Sequence, residues 1–232
     1  MNLLTPFDLV ERFSESRDLA IVGTASAAGR SGSMWGRIDE GKALVAQVSA
    51  GGPIPLRAEF GNGTDILVTG GDPQSWVVPP RREDAPSPIV LAILPLDPTE
   101  GVQEREEFAS KVDVLFTYSP CLVNVRNSFH SDGLSNRVAA IQLLPKLLVP
   151  KSVFITGFSL GDTSPSDDAP SWRRWLSFGL RRSENVFSIP EAALFCRVIN
   201  KIGVPVSITA DVVDIFARTG TKLGKRLEVI KR

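Results

Sequence analysis

A serine between two glycines is the sharpest chemical signal in the sequence. Gly157-Phe158-Ser159-Leu160-Gly161 follows the apolar run Val153–Thr156 and matches the G-x-S-x-G pattern, in which a sharp turn after a strand exposes a nucleophilic serine. That chemistry also needs a helix directly after the serine, then an acid and a histidine. Residues 162–165 indicate a turn instead, and the single histidine, His130, precedes the serine. A serine hydrolase using Ser159 therefore stays an alternative, and no catalytic residue is predicted.

The two cysteines of the chain do not indicate a metal site or a reactive thiol. Cys121 and Cys196 are the two cysteines of the chain, far apart in sequence, whereas zinc sites use closely spaced ligand pairs. No metal and no other cofactor is expected. Two isolated cysteines indicate free, buried thiols and a reducing compartment rather than a disulfide framework.

A segment of small residues raises the question of phosphate binding. Residues 25–33 are rich in Gly, Ser and Ala and include Arg30, a composition that can surround a phosphate after a strand. The segment lacks the Gly-Lys-Ser/Thr ending of a P-loop, and no helical pattern follows it. Nucleotide binding is therefore not predicted here.

Positive charge is concentrated in the last third of the chain. From Ser171 onward there are twelve basic and five acidic residues, a surplus of seven positive charges in a chain whose net charge is 0. Such a split favours contact with an anionic partner, although a solvated cationic face is the alternative for each single residue. The predicted binding residues are Arg173, Arg174, Arg181, Arg182, Lys222, Lys225 and Arg226.

Tryptophans flank two of these arginines. Trp172-Arg173-Arg174-Trp175 alternates aromatic and basic side chains, which suits both a membrane interface and a nucleic-acid backbone. The remaining tryptophans, Trp35 and Trp76, are expected in the core or at an interface.

Short apolar runs separated by Gly and Pro predict a mainly β protein. The predicted strands are 19–24, 34–38, 43–49, 65–69, 75–78, Ile89–Leu94, two segments within 112–125, and 152–158. Thr5-Pro6 predicts the start of a helix, because Thr5 can cap it and Pro6 suits its first position. Residues 100–110 predict a loop or a short helix. Short strands joined by turns favour antiparallel pairing over alternating βαβ units.

The C-terminal part is predicted to contain four elements. Residues 175–180 predict a strand. Pro190 opens a helix with Ser188 as its cap, an apolar face that includes Leu194, Val198 and Ile202, and an end at Gly203. Residues 205–208 and 212–217 predict strands, and Thr219-Gly220 predicts a hairpin turn into a last strand, 222–230.

Two domains of similar size follow from the longest polar stretch. Residues 129–136 form the predicted linker between a β-rich domain at 1–128 and a second β-rich domain at 137–232 that carries the basic face. No apolar run approaches the roughly 20 residues needed to cross a bilayer. The chain is therefore expected to be soluble or to touch a membrane only at its surface.

The order of the C-terminal elements resembles a known family. Phe178-Gly179, Arg181-Arg182, Cys196 and residues 199–203 and 218–222 make the last third similar to the C-terminal domain of matrix proteins of non-segmented negative-strand RNA viruses, of the paramyxovirus and pneumovirus type. A weaker likeness is Ile93-Leu94-Pro95-Leu96-Asp97-Pro98. The resemblance implies two tandem antiparallel β-sandwich domains with a few short helices.

The resemblance also implies a structural protein without enzymatic activity. Such a protein assembles from homodimers into a lattice beneath the viral envelope, inside the virion and at the inner face of the host plasma membrane, and it acts in budding. The implied partners are an anionic membrane surface, the viral nucleocapsid, envelope glycoprotein tails and RNA. The chain departs from the family in being shorter, in its net charge of 0 and in lacking a P-P-x-Y motif.

A plant-virus movement protein is a further alternative. Leu96-Asp97 after a strand, together with the basic tail, would suit a cell-to-cell movement protein that binds single-stranded RNA. Binding to anionic liposomes would favour the matrix interpretation, and binding to RNA without liposomes would favour the movement interpretation.

Overall fold

One parallel sheet organises the described residues of the computed structural model. These residues are 3–13, 17–23, 43–48, 64–70, 88–94, 102–118, 136–158, 160 and 189–230. The strands are β1 (Asp18–Val22), β2 (Ala43–Val48), β3 (Ile66–Gly70), β4 (Ile89–Leu94), β5 (Val114–Tyr118), β6 (Val153–Thr156), β7 (Val206–Ile208) and β8 (Leu227–Val229). The helices are α1 (Pro6–Arg12), α2 (Val102–Ala109), α3 (Asn136–Leu148), α4 (Ile189–Asn200) and α5 (Ala210–Thr219).

The strands lie in the order β5-β4-β3-β2-β1-β6-β7-β8. Every neighbouring pair is parallel. All strands therefore begin at one edge of the sheet, the amino edge, and end at the other, the carboxyl edge. The central strand β1 pairs with β2 on one side and with β6 on the other, so that Leu19 lies opposite both Leu44 and Val153.

The predicted fold of two tandem antiparallel β-sandwich domains is wrong. A single sheet contains strands from both sides of the predicted linker, and its pairing is parallel rather than antiparallel. The physical reason is visible in the strands: all residues of β1, β2 and β6 are buried. A sheet covered on both faces needs nearly continuous apolar strands, whereas a sandwich strand alternates apolar and polar residues. The β-sandwich implied by the resemblance is wrong for the same reason.

Helices cover both faces of the sheet. On one face, α1, α3, α4 and α5 pack against β1 to β7 in the main core, where Leu9, Ile141, Phe195 and Phe216 are buried. On the other face, α2 places Phe108 against β3, β4 and β5. This two-sided arrangement is that of a doubly wound α/β fold.

The first helix was predicted correctly, and its cap explains where it begins. Thr5 has extended backbone angles, and Pro6 takes the first helical position. The Asp8 N–H donates to Thr5 Oγ1 at 3.3 Å, and the Thr5 N–H donates to Asp8 Oδ2 at 2.6 Å. This reciprocal pair satisfies two N–H groups that a helix start otherwise leaves without partners.

The segment 212–217, predicted as a strand, belongs to helix α5. Val212, Ile215 and Phe216 are buried, and this spacing of three and four places them on one helix face. Asp214 and Arg218 lie on the exposed side, where Arg218 Nε is 2.7 Å from Asp214 Oδ2. The β-branched residues that suggested a strand are outweighed by burial of this face.

The hairpin predicted at Thr219-Gly220 is also wrong. Gly220 is the C-cap of α5 in the left-handed conformation, with φ 65°, a conformation that glycine adopts at helix ends without steric cost. The last strand is three residues long, Leu227–Val229, rather than 222–230, and it pairs with β7 in parallel. Parallel pairing follows because a helix separates the two strands.

The remaining segment predictions have mixed outcomes. Six predicted strands overlap β1, β2, β3, β4, β6 and β7, and the helix predicted from Pro190 is α4. Residues 100–110 contain α2, and β5 lies within 112–125. The predicted strands 34–38, 75–78 and 175–180 lie outside the described residues, as does the predicted linker apart from Asn136, which begins α3.

Val149 occupies a position that usually suits glycine. It follows α3 with φ 45°, and its side chain is 70% exposed. A β-branched residue in the left-handed region is strained, whereas glycine is not. We therefore expect Val149→Gly to raise the free energy of unfolding by roughly 0.5–1 kcal/mol, because relief of strain exceeds the added chain entropy. Urea unfolding tests this; Val149→Ala is the control that keeps Cβ, and a less stable glycine variant would contradict the expectation.

A half-buried carboxyl group makes stability depend on pH. Asp65 precedes β3 at the amino edge, and its Oδ2 accepts the Val45 N–H at 2.8 Å. Burial raises the pKa of Asp65 above its ordinary 3.8, while the Val45 N–H and the charge of Arg17 lower it by less. The folded protein thus binds this proton more tightly than the unfolded chain, so stability falls as pH rises from 3.8 through the folded pKa.

Asp65→Asn is expected to stabilise the protein at neutral pH. The amide oxygen can still accept the Val45 N–H, and no charge is buried. Tm should rise by about 2–4 °C for each kcal/mol of burial cost removed. This gain in Tm should disappear at about pH 3 and below, where the wild-type carboxyl is protonated in both the folded and the unfolded protein. Thermal unfolding followed at both pH values checks this, and an equal gain at both would contradict it.

Candidate functional site

The strand order reverses at the centre of the sheet. From β1 the chain builds outward through β2, β3 and β4 to β5, and it then returns to place β6 on the other side of β1. In open parallel sheets, ligands bind outside the carboxyl ends of the strands at such a reversal, where the connections diverge to opposite faces. The carboxyl ends of β1 and β6 are therefore the candidate location of a ligand-binding site.

Two glycines bring these strand ends into backbone contact. The Gly23 N–H donates to the Thr156 carbonyl at 2.8 Å, one residue beyond β1. A Cβ on Gly23 would lie 2.2 Å from the Gly157 carbonyl oxygen, and a Cβ on Gly157 would lie 2.8 Å from that of Gly23. Gly157 also has φ 75°, a conformation that favours glycine. Neither position accepts a side chain without displacing the backbone.

A hydrogen-bond network joins the end of β6 to the start of α5. The Phe158 N–H donates to Asp211 Oδ2 at 3.0 Å, and the Thr209 hydroxyl hydrogen-bonds Asp211 Oδ1. The Thr209 and Thr156 hydroxyls lie 3.0 Å apart. Asp211 is in the first turn of α5, where the helix dipole favours a carboxylate. The network fixes the backbone after β6 at the carboxyl edge.

A buried arginine lies at the start of α3. Asn136 places this helix start against the end of β3, since a Cβ on Gly70 would lie 3.1 Å from Asn136 Nδ2. The next residue, Arg137, is only 8% exposed. Burial lowers the pKa of Arg137, and the charge of Glu191, in the first turn of α4, opposes that effect. A cation at a helix N-terminus is also disfavoured by the dipole.

On the face of the main core, the N-termini of α3, α4 and α5 are directed towards the carboxyl edge, with different charges. In α4 and α5 a carboxylate occupies the first turn, Glu191 and Asp211 respectively. The first turn of α3 has no acidic residue and contains the buried Arg137. A buried charge and several polar groups at the carboxyl edge of a parallel sheet are typical of functional sites.

Substitution at Gly23 tests the contact between the strand ends. Gly23→Ala should lower the free energy of unfolding by roughly 1–3 kcal/mol or more, because the new methyl group overlaps the Gly157 carbonyl. Gly203→Ala is the matched control, since nothing lies within 4 Å of a Cβ there. Urea unfolding of both variants measures the difference. Equal stability of the two variants would contradict the close approach.

The G-x-S-x-G motif has the parallel-sheet context that its chemistry requires. It follows β6, a central strand, and Gly157 ends that strand at the carboxyl edge. Phe158 and Leu160 are buried. Ser159, His130 and the segment 162–165 lie outside the described residues, so a serine hydrolase using Ser159 remains an untested alternative to the prediction of no catalytic residue.

The predicted buried thiol is confirmed for Cys196. This free cysteine is buried in the main core. Burial raises the pKa of the Cys196 thiol to about 11, against a smaller opposing effect of the Thr219 hydroxyl. A thiol with so high a pKa is a poor nucleophile. Cys121 and the tryptophans Trp35, Trp76, Trp172 and Trp175 lie outside the described residues.

The predicted basic residues are described only in part. Lys222, Lys225 and Arg226 are exposed and share the segment between α5 and β8, at the amino edge. Arg173, Arg174, Arg181 and Arg182 lie outside the described residues. The three described cations are therefore close together, but on the edge opposite to the reversal site.

Sequence reasoning missed the polar residues of the carboxyl edge. Arg137 follows a segment interpreted as a linker, and Asp211 and Thr209 precede a segment interpreted as a strand. One signal was available: Thr209 and Asp211 stand where a helix cap and a first-turn acid are expected, before an apolar spacing of three and four.

Neither a membrane-spanning helix nor a cluster of metal ligands in the described residues, nor any known relative, adds to this geometry. In the described part of the chain, no helix is long and apolar enough to cross a bilayer, and no three His, Cys, Asp or Glu side chains are grouped as metal ligands would be. No protein family model, no curated protein and no solved structure matches this chain.

Proposed function

We propose that the protein binds a small phosphate-bearing ligand of the nucleotide type at the carboxyl edge, where β1 and β6 meet. One observation carries the proposal: Arg137 is buried at the start of α3, at the edge where the strand order reverses. Neither the helix dipole nor the apolar core favours a guanidinium there, and the negative charge of a ligand would stabilise it further.

The choice of phosphate follows from the chemistry of the guanidinium group. Its planar set of N–H donors matches the oxygens of a phosphate, and such charge-assisted pairs are stronger than neutral ones. Glu191, in the first turn of α4, interacts electrostatically with Arg137. The carboxylate of Asp211 is positioned by two donors, and its remaining lone pairs can accept hydroxyl groups of a sugar.

The sequence after β1 is compatible with this ligand but is not a dinucleotide fingerprint. Gly23 is followed by the small residues of 24–29, as a phosphate-binding turn after a strand requires. The second glycine of G-x-G-x-x-G is replaced by Ala25, and β2 ends in Gln47-Val48 without the acidic residue that binds a ribose in that fingerprint. We therefore propose a phosphate-bearing ligand without specifying NAD.

The matrix-type function stays a prediction, without the fold that it implied. The β-sandwich domains that would place its lattice and dimer contacts are wrong for this chain. What still supports contact with an anionic surface is the charge of the C-terminal region, which is a separate feature from the carboxyl-edge site. The single-stranded RNA alternative rests on that same charge.

Ligand binding can be measured directly with nucleotides. We expect ATP, GTP, NAD⁺ or NADP⁺ to bind in isothermal titration calorimetry, and adenosine or guanosine to bind far more weakly. Arg137→Gln should weaken binding roughly 10- to 100-fold, because a hydrogen bond to a charged group contributes about 1.5–3 kcal/mol. Arg137→Lys, which keeps the charge but loses the planar fork, should have an intermediate affinity.

The matched control is Arg197→Gln, which removes an exposed arginine from α4 and should leave the affinity unchanged. Thermal unfolding without ligand shows whether each variant is folded. If none of the phosphate-bearing probes binds the wild-type protein, or if folded Arg137→Gln binds as tightly as wild type, the proposal is wrong. A purely structural Arg137 would lower Tm without changing the affinity.

A further inference from the structure

We propose that the segment 221–226, here called the basic loop, docks the protein on an anionic membrane surface, with Leu223 as its apolar contact. The loop connects α5 to β8 and lies at the amino edge of the sheet. It is independent of the carboxyl-edge site, which lies at the opposite ends of the strands.

Hydrogen bonds to Asn200, at the end of α4, and to Gly203, just after it, fix the basic loop. Asn200 Nδ2 donates to the Lys222 carbonyl at 2.9 Å, and the Gly224 N–H donates to Asn200 Oδ1 at 2.9 Å. Arg226 Nη1 donates to the Gly203 carbonyl at 2.8 Å. A Cβ on Gly224 would lie 2.8 Å from Asn200 Oδ1, so the loop and the helix end fit closely. A fixed loop loses little entropy when it docks.

Four cations surround this contact. Lys201 follows α4, and Lys222, Lys225 and Arg226 lie on the loop; all four are exposed. Among the described residues, no carboxylate forms an ion pair with any of them, in contrast to Arg218, which pairs with Asp214 at 2.7 Å. A cavity of ≈ 250 Å³ lies between the loop and the end of α4, lined in part by Lys201, Lys225 and Arg226.

Helix electrostatics account for only part of this arrangement. Lys201 and Lys222 lie just beyond the C-termini of α4 and α5, where cations offset the helix dipole. Lys225 and Arg226 stand further along the chain, beside β8, and the dipole effect falls off within the last turn. The hydrogen bond to the Gly203 carbonyl accounts for the position of Arg226, whereas the helix dipole does not account for Lys225.

The exposed leucine distinguishes a membrane from a nucleic acid. Leu223 is 44% exposed between Lys222 and Lys225, and Val229 on β8 is 37% exposed. Basic side chains attract anionic headgroups while an apolar side chain enters the headgroup boundary. Nucleic-acid phosphates would engage the cations but leave Leu223 without a partner. The observations therefore favour a lipid surface.

Vesicle co-sedimentation tests the proposal with the full chain. The protein should bind vesicles of phosphatidylcholine mixed with phosphatidylserine, should bind pure phosphatidylcholine weakly, and should dissociate as salt is raised. Lys222→Gln/Lys225→Gln should lower the partition coefficient roughly 30-fold, since each cation contributes about 1 kcal/mol at an anionic surface. Leu223→Ser should lower it about fivefold through lost apolar burial.

The matched control removes two other exposed lysines, in Lys111→Gln/Lys146→Gln. Lys111 precedes β5 at the far end of the same edge, and Lys146 is in the last turn of α3. Unchanged partitioning of this variant supports a local docking surface. The proposal is overturned if the control loses as much binding as the loop variant, if the wild-type protein ignores phosphatidylserine, or if Leu223→Ser binds as wild type. If Lys222→Gln/Lys225→Gln lost binding to single-stranded RNA but still bound vesicles, the loop would be assigned to nucleic acid instead.

Discussion

The pairing of β1 with β6 is the constraint on which the rest of the structure depends. It joins the first half of the sheet to the second, and it requires a continuous ladder from Leu19 to the Gly23 N–H. The ladder continues beyond the strands because Gly23 and Gly157 have no side chains to separate the two backbones. A central parallel pair is buried on both faces, which explains why every residue of β1 and β6 is buried.

Parallel pairing also dictates where charge can be placed. Each connection must return from the carboxyl edge to the amino edge. The helices α3, α4 and α5 therefore begin near the carboxyl edge and end near the amino edge. Partial positive charge from helix N-termini therefore accumulates at the carboxyl edge. The carboxylates of Glu191 and Asp211 offset this positive charge in α4 and α5, whereas Arg137 adds to it in α3. The inward-facing apolar surfaces of these helices supply the core, which leaves only their first turns to form a polar site.

The sequence predicted the strands better than their arrangement. Apolar runs located β1, β2, β4 and β6 closely, because burial of consecutive side chains is a local property. The direction of the strands is set by the segments between them. The segment 212–217 was predicted as a strand because its β-branched residues favour one, although the spacing of Val212, Ile215 and Phe216 is helical. With that helix missed, the segments 212–217 and 222–230 were predicted to form a hairpin. The site was largely beyond prediction, because Arg137 becomes informative only when its burial is known.

The strands of this sheet are short, and β7, next to the outermost strand β8, has only three residues. At about 3.3 Å per residue, strands of this length separate the two edges by only about 10–20 Å. The basic loop and the reversal of strand order nevertheless face opposite directions, since one precedes its strand and the other follows it. A molecule resting on the loop would therefore direct the carboxyl edge of the sheet away from the lipid surface. Exchange of a small solute there would not require the protein to detach.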